Sequence, residues 1–185
     1  MKTALILGGA ACVHEDIKAA LALFRPHLIV AVNDIGMTYP DIDHWVSYHP
    51  HKFAQWEKRR HRAGLTPPEA FWTHSLKTVP KEHRLINIRV LSQPHWGGSS
   101  GLLAVQVVLQ DLMIEHSVLA GIPMTETRHF DPVRYKPWPE ALYYRAKWED
   151  NLVLLKKHVR SMSGWTREIL GAPDPAWLGV EEMIT

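Results

Sequence analysis

The chain has 185 residues and a single cysteine, Cys12, which excludes an internal disulfide framework and any cysteine-based zinc ribbon. No uninterrupted apolar run reaches the roughly 18 residues that a membrane span needs. The composition, with 11 glycines and 13 prolines, excludes a collagen-like chain and a coiled coil, and neither an internal repeat nor a low-complexity tract is present. With 46% apolar and 22% charged residues, the chain is not a disordered one. There is no G-x-G-x-x-G and no Gly-Lys-Ser/Thr, so an ordinary nicotinamide enzyme or a P-loop NTPase is not expected. The opening apolar stretch is broken by Gly8-Gly9 and followed by His14-Glu15-Asp16. It therefore reads as a first strand, not a signal peptide, and a soluble cytoplasmic protein without a membrane partner is expected.

Histidine and tryptophan are plentiful instead, at 12 and 8 residues. Net charge is only +2, but residues 50–90 carry nine Lys/Arg against three acids, a local +6 that leaves the remainder at −4. Such a segment suits an anionic small-molecule ligand, and a solvated helix face accounts for it equally well. Nucleic acid is not implied, and a homo-oligomer is compatible with the composition.

Periodicity organises the chain. Thr3–Leu7 reads as a buried strand, and Ile17, Ala20, Leu21 and Phe24 give helical spacing over 14–24, stopped by Pro26. Further strands are expected at Leu28–Val32, Trp45–Tyr48, Ala70–Thr73, Leu85–Leu91 and Ser117–Gly121. Residues 35–43 and 123–139 read as loops. A basic helix is expected over 52–62, a helix apolar on nearly all sides over 99–113, and a long helix over 140–157. Ser163 is placed as the N-cap of a last helix closed by Gly171. Strands alternating with helices predict an α/β fold: a mostly parallel open sheet with helices on both faces, in one domain over 1–185 with a helical C-terminal extension from about 140.

In such sheets ligands sit beyond the carboxyl ends of the strands. Those ends carry Gly8-Gly9-Ala10, Asn33-Asp34, His49-Pro50-His51, His74, and the Gly98-Ser99-Ser100-Gly101 segment that opens the apolar helix. Gly8, Gly9 and Ala10 suit a turn whose amides meet an anion. Gly98, Ser99, Ser100 and Gly101 suit convergence of amides and hydroxyls on a phosphate, or a plain serine cap with glycines for close packing. His49, His74 and His129 are the general-base candidates, with His51 and His95 beside them. His14, His27, His61, His83 and His116 read as surface or packing residues, and Trp56, Trp148, Trp165 and Trp177 as core or interface anchors. Asp41-x-Asp43 and His49-x-His51 alternate as metal ligands do, but the acids precede a strand and no third ligand follows at useful spacing. No metal site is assigned.

Leu5-Ile6-Leu7-Gly8-Gly9-Ala10-Ala11-Cys12 resembles the first strand and phosphate loop of bacterial sialyltransferase-like proteins and the related MptE-like proteins. Ala31-Val32-Asn33 resembles the second-strand asparagine of that group. Ser99 to Gln106 and Val118-Leu119-Ala120-Gly121-Ile122-Pro123-Met124 are similar to its later helix and strand end. The likeness spans roughly residues 3–125. The loop lacks the group's Pro-Ser-Leu, and Pro123-Met124 stands where its Asp is expected. The segment 159–164 resembles uncharacterised phage and prophage proteins. The resemblance implies a Rossmann-like sheet, a nucleotide or nucleotide-sugar donor as ligand in place of a resident cofactor, and group (glycosyl) transfer, with His129 nearest to the group's catalytic histidine. Two other readings stand beside it: a non-catalytic nucleotide-binding or phage-encoded assembly protein, and a hydrolase or sensor of nucleotide derivatives.

Overall fold

The computed structural model describes residues 2–77, 79, 81, 85–133 and 136–179; His83 lies outside them. Seven strands form one sheet: β1 (Thr3–Leu7), β2 (Leu28–Val32), β3 (His44–Val46), β4 (Ala70–Thr73), β5 (Ile88–Val90), β6 (His116–Ala120) and β7 (Val159–Ser161). All neighbours are parallel, in the order β5-β4-β3-β2-β1-β6-β7. The expected α/β, Rossmann-like open sheet is what forms. The chain steps outward from β1 to β5, then crosses back to lay β6 on the other side of β1. The topological switch therefore lies between β1 and β6, where parallel sheets open a crevice.

Strand alternation splits the core in two. Ala4, Ile6, Val30, Val32, Val46 and Trp72 face helices α3 (Ser100–Gln106), α4 (Glu140–Asp150), α5 (Leu152–His158) and α6 (Gly164–Leu170). Leu5, Leu7, Ala31, Trp45 and Phe71 face α1 (Val13–Leu23), α2 (Phe53–Arg62) and α7 (Pro175–Leu178). On the second side Trp45, fully buried, stacks between Trp56 and Phe71 at 6.0 and 5.6 Å. Among the described residues no helix is long and apolar enough to cross a membrane.

Several expected boundaries move, each for a local reason. The third strand ends at Val46, because Ser47 turns its hydroxyl to Asn33 and the Tyr48 N–H donates to Ser100 Oγ. The apolar helix over 99–113 is α-helical only to Gln106. It then widens into a π turn over 107–111, with Leu112 N–H on Val107 O at 2.9 Å. The long helix breaks at Asn151, whose side chain donates to Lys147 O and whose φ of −108° leaves the helical basin. The region after 140 is not helical throughout: the three-residue β7 joins the sheet beside β6. Residues 33–37 wind into a 3-10 turn that runs from the end of the second strand into the expected loop over 35–43. Ser163 occupies the N-cap position of α6 as expected, but its side chain makes no capping hydrogen bond; its hydroxyl donates to Asp16 Oδ2 at 2.6 Å.

Candidate functional site

A cleft of about 880 Å³ opens at the carboxyl ends of β1, β2 and β6, over the switch point. Its volume falls in the range of small-molecule sites. Gly8, Gly9, Ala10, Asn33, His49, Gly98, Ser99, Ser100, Gly101 and His129 all border it. His74 does not. Its ring packs on Tyr48 at 4.8 Å and on His95 at 5.1 Å, behind the cleft wall.

The β1 loop is held by protein partners. Gly8 N–H donates to Ala120 O, Ala10 N–H to Gly121 O and Ala11 N–H to Arg128 O, at 2.7, 3.1 and 2.8 Å. Of residues 8–11, Gly9 alone has an amide with no acceptor among the described residues, and its carbonyl receives Phe130 N–H. Gly8 is small because a Cβ there would lie 2.2 Å from Gly121 O, and Gly9 because a Cβ would lie 3.1 Å from His129 Nε2. The glycines thus serve close approach between the loops after β1 and β6. Beneath them Asp16 takes two hydrogen bonds on Oδ2, from Gly121 N–H at 2.8 Å and from Ser163 Oγ. Cys12 sits against Ser163 Oγ at 3.3 Å, and burial pushes its thiol up to about 11, so it stays protonated and unreactive at neutral pH.

The ends of β2 and β3 are arranged differently. Asn33 takes a left-handed φ of +56°, a strained conformation that asparagine tolerates best among residues with a Cβ. Its carbonyl receives Trp45 Nε1–H, and its Oδ1 receives Ser47 Oγ–H at 2.7 Å. Ser47 Oγ in turn accepts His49 N–H at 2.9 Å. Because the single hydroxyl proton of Ser47 points to Asn33 Oδ1, the asparagine NH₂ is the group left for the cleft. Buried Arg60 fixes the same turn from below, donating to the carbonyls of Gly36, Tyr39, Pro40 and Thr66.

His49 and His129 differ as bases. His129 Nδ1 accepts Asp131 N–H at 3.0 Å, which places the proton of the neutral ring on Nε2, 3.4 Å from Asp34 Oδ1. Both nitrogens of His129 are thereby engaged. The ring nitrogens of His49 have no hydrogen-bond partner among the described residues, and burial, Lys52 and His51 together hold its pKa below the ordinary histidine value. It is neutral at pH 7 and free to accept a proton. Lys52, Arg128 and Lys136 face Asp34 and Glu140 around the same cleft, so its rim carries a cationic excess. Over α3, Ser99 Oγ accepts Leu102 N–H at 3.4 Å and donates to Met124 Sδ at 3.9 Å, whereas Ser100 Oγ accepts Tyr48 N–H at 3.2 Å and, among the described residues, retains its own proton to donate.

No protein-family model, curated protein or solved structure matches this chain. The site therefore rests on its own geometry. Sequence reasoning passed over Lys52 and Asp34 as site residues, although Asp34 follows Asn33 directly at a strand end. It had no signal for Ser47, Arg60 or Asp16, whose roles come from contacts made across the fold. Asp43, weighed as a metal ligand, receives Ile29 N–H on Oδ2 at 2.7 Å. Among the described residues no three His, Cys, Asp or Glu side chains are placed to share an ion.

Proposed function

We propose that the protein binds a nucleotide or nucleotide-sugar donor in the switch-point cleft and transfers its glycosyl group to an acceptor hydroxyl. The observation that carries this reading is the convergence of an unengaged neutral His49, the Asn33 amide and the cations Lys52 and Arg128 on one cleft. In the reaction His49 takes the proton of the acceptor hydroxyl as its oxygen bonds to the anomeric carbon. The bond from that carbon to the donor phosphate breaks, and Lys52 and Arg128 offset the charge left on the phosphate. Asn33 donates from its NH₂ to donor or acceptor oxygen. His129 positions Asp34 and the loop after β6.

His49→Asn retains size and polarity and removes the base. With a panel of nucleotide sugars and simple acceptors, we expect donor binding unchanged and turnover down by roughly two to four orders of magnitude. Equal turnover in the variant and the wild type would remove His49 from the mechanism. Donor binding with no turnover in the wild type would favour the non-catalytic binding protein, a reading that the engaged amides of the β1 loop and the engaged nitrogens of His129 also support.

A further inference from the structure

Covered tryptophans are the rule in this molecule: Trp45 and Trp148 are fully enclosed, Trp56 and Trp72 are each 5% exposed, and Trp96, Trp165 and Trp177 are half-buried. Trp138 breaks the rule. It is 43% exposed, and it borders the cleft together with Tyr144, their rings 5.9 Å apart and inclined by 33°. Such an indole face is large, apolar and rigid, and 43% of the residue stays open to solvent.

The wall that carries it is pre-organised. Trp138 N–H is tied to Thr127 O, and α4 starts two residues later. Within α4, Arg145 Nε donates to Met124 O at 2.8 Å while its guanidinium stacks on Trp165 at 4.8 Å, which fixes the helix against the end of β6. Lys147 lies over Gly97 and Gly98, whose positive φ values of 81° and 77° form the turn before α3. An aromatic wall held in this way loses little freedom when a flat ring settles on it. Glu140 borders the same cleft and offers a carboxylate acceptor, and Lys52, Arg128 and Lys136 offer cations.

We infer that Trp138 and Tyr144 form a stacking subsite for the planar heterocyclic base of a nucleoside phosphate. The inference rests on the nucleotide reading of the cleft and adds the part of the ligand that this wall recognises. The base lies on the Trp138 indole, Glu140 accepts a hydrogen bond from an exocyclic amine or a ribose hydroxyl, and the phosphates extend toward the cations. A ring contact of this kind is sequence-tolerant, because every base has a π face, so discrimination among bases falls to Glu140.

Calorimetric titration of the whole chain with CMP, UMP, AMP and GMP, and separately with ribose 5-phosphate, tests the subsite. The wild type is expected to bind at least one nucleotide more tightly than ribose 5-phosphate. Trp138→Ala should weaken that nucleotide by about 10- to 100-fold, leave ribose 5-phosphate unchanged and unfold at the wild-type temperature; Trp138→Phe should retain most of the affinity. Nucleotide binding unaffected by Trp138→Ala would overturn the subsite and leave the nucleotide reading standing. Ribose 5-phosphate bound as tightly as every nucleotide would overturn the subsite and leave an anion cleft. No binding of any of these ligands by the wild type would overturn both.

Discussion

The loop after β1 and the turns after β2 and β3 border one cleft and are built on opposite principles. In the first, glycines bring two backbones together, and the amides of Gly8, Ala10 and Ala11 close onto protein carbonyls. In the second, a strained Asn33 and the Ser47 hydroxyl hold polar groups outward, and the His49 ring nitrogens have no hydrogen-bond partner among the described residues. A glycine pair at a strand end is therefore ambiguous. It serves an approaching ligand or an approaching chain, and only the neighbour tells which. Here the neighbour of Gly8 is Gly121 O.

The largest expected effect breaks this contrast at its first member. Gly8→Ala places a Cβ 2.2 Å from a backbone oxygen and 2.4 Å from Ile122 Cγ1, so strands β1 and β6 must separate locally. We expect a loss of about 3 kcal/mol in urea unfolding, at the upper end for overpacking. Gly9→Ala meets only a side chain, the His129 ring at 3.1 Å, so a shift of a few tenths of an ångström suffices and the cost should stay below about 1 kcal/mol. Equal costs for the two would mean that the loop is not shaped by its contact with Gly121.

Next comes the turn that presents Asn33 and Asp34. Arg60→Met retains much of the side-chain volume but strands the carbonyls of Gly36, Tyr39, Pro40 and Thr66. Unpaired partly buried carbonyls make a loss of about 2 kcal/mol the expected result. Hydrogen exchange should rise at residues 33–39 and stay unchanged at 8–11. Exchange that rises equally in both loops would show that they do not hold themselves independently.

These comparisons also mark what the sequence carries. The strands were legible because buried parallel strands are short apolar runs, and β1, β2 and β4 lie within the expected bounds. β7 was not, since three residues with Arg160 in the middle carry no period and gain their identity only by pairing with β6. Asn33 and His49 were legible as polar residues that follow apolar runs. His74 follows the same rule and still misses the cleft, because β4 lies two strands out from β2 and the ring turns back onto Tyr48. Arg60 reads as one more cation of a basic helix. Its burial becomes visible only when the 36–40 carbonyls are folded over it.

The smallest expected effect concerns pH and sharpens the contrast across the sheet. His44, His49, His74 and His116 all have pKa values lowered chiefly by burial, and three of the four lie in or just after β3 and β4. Among the described residues the buried Nδ1 atoms of His44, His74 and His116 have no hydrogen-bond partner, and burial outweighs the nearby acids that would favour a proton on His44 and His116. The unfolded chain binds these protons near pH 6.5, and the folded chain binds them only at lower pH. Stability is therefore fully present above about pH 6.5 and falls as pH drops through the lowered folded values. Calorimetric melts at pH 7.5, 6.5 and 5.5 should show a small fall in Tm of a few degrees below pH 6.5 and little change above it. His44→Leu removes one of these groups at a buried position and should make the fall shallower, whatever it does to the absolute Tm. A Tm that rises on acidification, or an unchanged slope in His44→Leu, would show that these rings do not resist protonation in the folded state.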